Sequence, residues 1–189
     1  YAVTRCIQEM CKGEPVAIGR YGDLETAGQI TPQSATAAYR RMLEIAPVEI
    51  LFTGCGDPAP AMEVFRRRFE GLKRNAPDYQ SVHLRETADK VQEHAETMEL
   101  SQAKLVLGLR TGKVQTPQEV NAMRMFSAIF GGTPFSKLFL NVREKLSLCY
   151  YCASRFDVST KLLLVDSGVE MENKQKAQDE ILRQLKLLQ

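Results

Sequence analysis

Histidine is scarce in this chain of 189 residues: His83 and His94 are the only two. Zinc hydrolases place paired histidines on one helical face with a glutamate base, as H-E-x-x-H or H-x-x-E-H, and neither spacing occurs. Zinc takes three or four convergent ligands, so His94-Ala95-Glu96 fits an exposed strand or loop better than a ligand pair. The phosphate-binding patterns G-x-x-x-x-G-K-[ST] and G-x-G-x-x-G are missing, as are G-x-S-x-G and the kinase signatures. Gly131-Gly132 follows a predicted helix rather than a strand, which makes it a helix terminator and not a phosphate loop. No apolar run approaches the ~20 residues of a membrane helix, and no signal-peptide pattern opens the chain.

Charge is also near balance. A net charge of +2 gives no electrostatic case for nucleic acid. The one dense basic run, Arg66-Arg67-Arg68, sits beside Glu63 and Glu70 on a predicted helix and reads as a solvated face. Five cysteines, an odd number without a secretory signal, point to reduced thiols in a cytoplasm. Cys149-Tyr150-Tyr151-Cys152 matches C-x-x-C by letters. It opens a predicted strand, where residues three apart face opposite ways, so the thiols are expected to be inert.

What is present is a chain of ordinary domain size, 44% hydrophobic, with one well-punctuated series of elements. A short helix over residues 2–12 is closed by Gly13 and Pro15. Thr31-Pro32 caps a helix running to about Ile45. Residues 48–53 alternate as a strand, and Gly54-Cys55-Gly56-Asp57-Pro58 starts a helix to Phe69 with Met62, Phe65 and Phe69 inward. Two or three strands are expected between Tyr79 and Arg110, the last with Gly108 at a close backbone approach. Thr116-Pro117 with Glu119 caps a helix burying Val120, Met123, Phe126, Ile129 and Phe130. The next, 135–147, carries Leu138, Phe139, Val142 and Leu146. Strands over 149–157 and 161–169 follow, then a helix from Asn173. This order predicts a single α+β domain, 1–189: a mixed, largely antiparallel sheet with helices packed on one face. The chain opens without Met and closes inside an apolar-periodic helix (Ile181, Leu185, Leu188), which reads as a fragment of a longer protein.

Arg143 and Tyr150 lie seven residues apart, at a helix end and a strand start, so a helix-to-strand turn would aim a cation and a phenol at one external point. Each also has an ordinary explanation: a cation matched to the helix dipole, and a strand aromatic in the core.

Gly131-Gly132, Ser136-Lys137-Leu138-Phe139, Arg143-Glu144-Lys145, Leu148 and Tyr150 together resemble the C-terminal half-domain of the pitrilysin/insulinase family of zinc peptidases. Ile30-Thr31-Pro32 and Leu51-Phe52-Thr53-Gly54 with Gly56-Asp57 extend the resemblance over nearly the whole chain. It implies paired, related α+β halves around a chamber, one bearing the inverted zinc motif and the other an arginine and a tyrosine. By that resemblance Arg143 and Tyr150 are substrate-binding residues, and the partners are a related half-domain or homologous subunit and a peptide or protein substrate. No catalytic residue, metal ligand or cofactor is expected within this chain, zinc belonging to the missing half. Ser147 stands where many active members have glycine. Gln8 to Pro15 with Gly108-Leu109-Arg110-Thr111 is similar to a bacterial cytoplasmic branch that has lost the zinc motif. The alternative is the second half of an active zinc peptidase whose motif lies upstream.

Overall fold

The structure, a computed structural model, describes residues 1–19, 21–75, 77 and 84–188. Along the chain run α1 (Ala2–Met10), α2 (Leu24–Gly28), α3 (Pro32–Ile45), α4 (Ala59–Phe69), β1 (Ala103–Arg110), α5 (Pro117–Ser127), β2 (Cys149–Asp157), β3 (Leu162–Val169) and α6 (Lys174–Lys186). Two π-helical turns, Ala128–Gly132 and Phe139–Lys145, lie between α5 and β2. The chain divides into two compact units, residues 1–20 with 83–189, and residues 21–82.

The larger unit is an α+β fold built on an antiparallel sheet of order β1-β3-β2. β3 is central because its sequence demands cover on both sides: every residue but Asp166 is buried. Leu163, Val165 and Val169 face a layer formed by Phe130, Leu138, Val142, Ala177 and Ile181. Leu162 and Leu164 face the other way, where α1 meets them with Val3, Ile7, Met10 and Cys11. The apolar stripe of α6 is therefore covered by the sheet, Ile181 fully and Leu185 and Leu188 in part. Thr116 caps α5 through the Glu119 N–H while Glu119 returns a bond to the Thr116 N–H, the reciprocal box its spacing predicts.

Beside α1, Glu14 and Arg110 form an ion pair with each side chain only 5% exposed. The Arg110 guanidinium also donates to the Met10 carbonyl at 2.8 Å and the Arg85 carbonyl at 2.7 Å, and the Arg85 N–H donates to Glu14 at 2.8 Å. Every charge is thereby answered, which a pair this deep requires. It fastens the turn after α1 and the segment at Arg85 to the end of β1.

The smaller unit is helical. Thr31 caps α3 as expected, and Ser34 completes a reciprocal box with it. The end of α3 is held by Arg74, which donates to the Leu43 carbonyl at 3.0 Å and stacks over Phe69. Arg66 pairs with Glu63 and Glu70 on an exposed face, as the basic run predicts.

Several expectations are corrected. Residues 48–53 form no strand: their alternation has no ladder partner among the described residues, and Leu51 and Phe52 are exposed. Met62 and Phe65 are exposed rather than inward, no strand forming among the described residues of this unit to lie against α4. Of the strands expected from Tyr79 to Arg110, β1 is the one that forms among the described residues; 79–83 lie outside them, and 84–102 is irregular. Too few apolar side chains occur there to bury a strand face. Polar anchors hold it instead, Arg5 and His94 both bonding Glu96. Ile129 and Leu146 turn outward, because the π-helical turns shift the phase that a regular helix would keep. Gly108 is approached by the side chain of Met10, not by backbone.

Gly131 does more than end a helix. A Cβ there would lie 2.5 Å from the Ser154 backbone nitrogen and 2.8 Å from Leu138 Cδ1. The π-helical turn thus presses backbone to backbone on β2, where the Ser154 hydroxyl donates to the Ser127 carbonyl at 2.9 Å. Gly131→Ala is expected to cost about 1–3 kcal/mol or more, since neither strand nor turn can yield cheaply; a denaturant titration with an unchanged midpoint would refute the contact.

Acid should weaken the fold in a defined window. Burial alone would raise the Glu14 carboxyl, but hydrogen bonds from Arg110 and the Arg85 N–H outweigh it and hold it below its ordinary 4.5. Hydrogen bonds from Arg183 lower Glu180, and backbone and side-chain bonds lower Glu119. Glu96, bonded by Tyr1, His94 and Arg5, is lowered to about 2. A depressed carboxyl stabilises the fold fully above its unfolded value and ceases to as pH falls through its folded one. The melting temperature should accordingly stay level above about pH 5 and decline from there toward about pH 2, as thermal melts across that range would record.

Candidate functional site

The corner between the second π-helical turn and β2 opens a groove of about 380 Å³. Arg143, Ser147, Cys149, Tyr150 and Glu170 line it, so the two residues expected to converge do converge. Arg143 comes from the last turn of the helix, its guanidinium 4.7 Å from the centre of the Phe139 ring and 3.7 Å from Glu144. Its side chain is 41% exposed and Tyr150 is 74% exposed, so both reach solvent and neither is a core residue.

Two local departures from regular structure make this corner. The first is at Ser147, whose φ of 49° is left-handed. It lets the chain reverse from helix to strand, with the Ser147 N–H donating to the Arg143 carbonyl at 3.0 Å and the Leu148 N–H to the Val142 carbonyl at 3.1 Å. Glycine adopts that conformation without penalty, which gives a physical reason for glycine at this point of the chain.

The second is a β-bulge. Cys149 opposes Val169 and Tyr151 opposes Gly168, leaving Tyr150 as the extra residue. Strand alternation puts Cys152 and Phe156 on the helix-facing side, in the main core. Carried backward without interruption, it would bury Tyr150 and turn Cys149 away. The bulge reverses both: Tyr150 is thrown outward and Cys149 packs against the same core as Cys152. The expectation that the two thiols face opposite sides is therefore wrong, and no signal in the letters around Tyr150-Tyr151 reveals the bulge.

The pair shares the core face of β2, Cys149 opposite Val169 and Cys152 opposite Ser167. The neighbouring Cys152 thiol foremost, with the Ser167 hydroxyl and the Arg143 charge, outweighs burial and brings the Cys149 thiol down to about 7. The Cys152 thiol is pushed up, foremost by the neighbouring Cys149 and then by burial. Ser167 is itself fully buried, and its hydroxyl donates to the Tyr151 carbonyl at 2.8 Å. Tyr151 occupies the opposite face, donating to Asp166 at 2.9 Å with Lys104 over its ring, so it is a sheet residue and not part of the groove.

The groove can hold polar backbone and carboxylate groups. Arg143 supplies a fork of donors, Tyr150 a hydroxyl that donates or accepts, and Glu144 and Glu170 acceptors. Elsewhere, no three His, Cys, Asp or Glu side chains converge on a metal-binding point among the described residues. The donor set there does not fit zinc, and no step through a metal follows from it.

The left-handed corner carries its own test. Ser147 is exposed and loses no packing on substitution. Stability should fall in the order Ser147→Gly, wild type, Ser147→Val, with Val below wild type by about 1 kcal/mol or more, because a β-branched residue is the least tolerant of positive φ. Equal denaturant midpoints for the three would show that the corner is not strained.

Comparison with known proteins places this geometry. The peptidase M16 inactive domain, as a sequence family, matches residues 29–189. A curated protein from Bacillus subtilis, named "Probable inactive metalloprotease YmfF", is 33% identical over all of this chain and 44% of its own length. A conserved protein of Enterococcus faecalis has a crystal structure that superposes with a TM-score of 0.87 at 28% identity, covering 98% of this chain and 44% of that one. The structure of a peptidase M16 inactive domain from Pseudomonas fluorescens superposes at 0.67 with 16% identity, a likeness of fold, over 97% of this chain and 45% of the other. The chain thus spans under half the length of the relatives it matches.

Proposed function

Since this chain belongs to the peptidase M16 inactive-domain family, we propose that it is a non-catalytic half that binds peptide in concert with a second, related half. The observation that carries this reading is the convergence of Arg143 and Tyr150 on one open groove from two different elements. An extended peptide offers carbonyl oxygens along its length. A guanidinium fork and a phenol spaced across a helix-to-strand corner can bind such oxygens without reading side chains. Glu144 and Glu170 at the same groove offer acceptors to peptide N–H groups.

The partner half is proposed from length. Relatives run to more than twice this chain, so the groove would face a second domain or subunit of like architecture. A bacterial, cytoplasmic setting is proposed from the reduced-thiol composition and the B. subtilis likeness. No helix among the described residues is long and apolar enough to cross a membrane.

The length also favours one other reading, in which the remainder of the protein carries a zinc motif and this chain serves an active peptidase. Chelator-sensitive peptide cleavage by the full-length protein would establish that reading over the non-catalytic one.

The peptide reading is tested by binding of a fluorescent unstructured peptide to the full-length protein. Arg143→Ala should weaken binding by roughly 10–100-fold, the loss of a charge-assisted bond, and Tyr150→Phe by about 2–10-fold. Both should melt within a few degrees of wild type, because a dipole-matched surface cation contributes only about 0.3–1 kcal/mol. Large melting losses with unchanged binding would make both residues structural.

A further inference from the structure

The bulge that exposes Tyr150 also assembles a thiol pair at the edge of the groove. Cys149 is partly exposed and lines the groove, whereas Cys152 behind it is only 4% exposed. The bulge sets both thiols on the core face of β2, Cys149 opposite Val169 and Cys152 opposite Ser167, two positions apart along β3, and Arg143 lines the same groove as Cys149. No other cysteine has such surroundings: burial pushes the Cys6 and Cys11 thiols up, and Cys55 is exposed on the smaller unit.

We propose that Cys149 is a thiol–disulfide exchange site for small disulfides bearing carboxylates, with Cys152 as the resolving thiol. The Cys149 thiolate attacks one sulfur of RS–SR. That S–S bond breaks, RS⁻ leaves and takes a proton from water, and Cys149 becomes a mixed disulfide. Cys152 then gives its proton to solvent and attacks the Cys149 sulfur, forming the Cys149–Cys152 bond and expelling the second RS⁻. Two protein thiols lose two electrons, and the small disulfide is reduced to two thiols.

The parts suit those roles. The groove, about 380 Å³, lies within the size of small-molecule sites, and Arg143 at its lining matches a carboxylate. Near-total burial keeps Cys152 from reacting first. Its reluctance to ionise comes foremost from the neighbouring Cys149 and then from burial. Once Cys149 is capped it carries no negative charge, and that restraint on the Cys152 thiol is lifted. With its thiol near 7, Cys149 is about half ionised at neutral pH. An ordinary thiol near 8.5 is ionised to a few per cent, a gain of about 15-fold that weaker intrinsic nucleophilicity cuts to about threefold. The decisive expectation is therefore the order and fate of modification rather than a large rate.

The experiment treats the full-length protein with glutathione disulfide near neutral pH and follows each cysteine peptide by mass spectrometry. Cys149 should acquire glutathione about threefold faster than the more exposed Cys55, and the adduct should give way to a Cys149–Cys152 disulfide. In Cys149→Ser, Cys152 should stay unmodified. The proposal is overturned if Cys55 reacts first, if the Cys149 adduct persists without passing to Cys152, or if Cys152 is modified as readily in Cys149→Ser. Should that variant melt at a lower temperature, the wild-type time course alone decides: passage of the adduct to Cys152 upholds the proposal and its persistence overturns it.

Discussion

Burial of β3 on both faces is the constraint from which the larger unit follows. Leu162 to Val165 cannot be satisfied by a sheet with one wet face, so the strand takes the centre and draws a layer to each side. Its neighbours β1 and β2 are antiparallel and less fully buried, as edge strands with one core face should be. The Glu14–Arg110 pair then closes the α1 side. It adds little net stability over an apolar contact of the same size, but removal of either partner would strand a buried charge. Its effect is on register, tying the turn after α1 and the segment at Arg85 to one end of β1.

The groove arises where this regularity is interrupted. A regular helix leading into a regular strand would have left Tyr150 in the core and Cys149 on the far face. One left-handed residue and one extra residue change both, and each lies within a few positions of Arg143. The π-helical turns belong with them. Gly131 can press against β2 only because it lacks a Cβ, and that pressing sets the position of the segment from which Arg143 extends.

Legibility in the sequence followed the range of the determining interactions. Caps at Thr31 and Thr116 are read from a proline next to each and, at Thr116, from Glu119 three residues on, and both formed. The hairpin of β2 and β3 was visible because a continuous apolar run has few alternatives. The segment at 48–53 shows the opposite case: alternation states which side would be buried, not whether anything is there to bury it. The convergence of Arg143 and Tyr150 could be anticipated from a helix-to-strand turn between them. Its companion thiol could not, since a bulge is decided by pairing with β3, and period-two reasoning assumes there is none.

Stability and site chemistry are thereby assigned to different residues. The core rests on side chains with almost no exposure, such as Phe130, Leu138, Val165 and Ile181, where loss of a methylene group is felt at once. Arg143, Glu144, Ser147 and Tyr150 are all substantially open to water and contribute little to holding the sheet. Their substitution changes what the groove can bind at small cost to the fold. Cys149 stands between the two classes, with one side against the core and the other in the groove. A chemical event at that sulfur is therefore felt at the surface through Arg143 and within the sheet through Cys152 and Ser167. That double contact comes to Cys149 from the bulge, which leaves Tyr150 beside it touching only the outside.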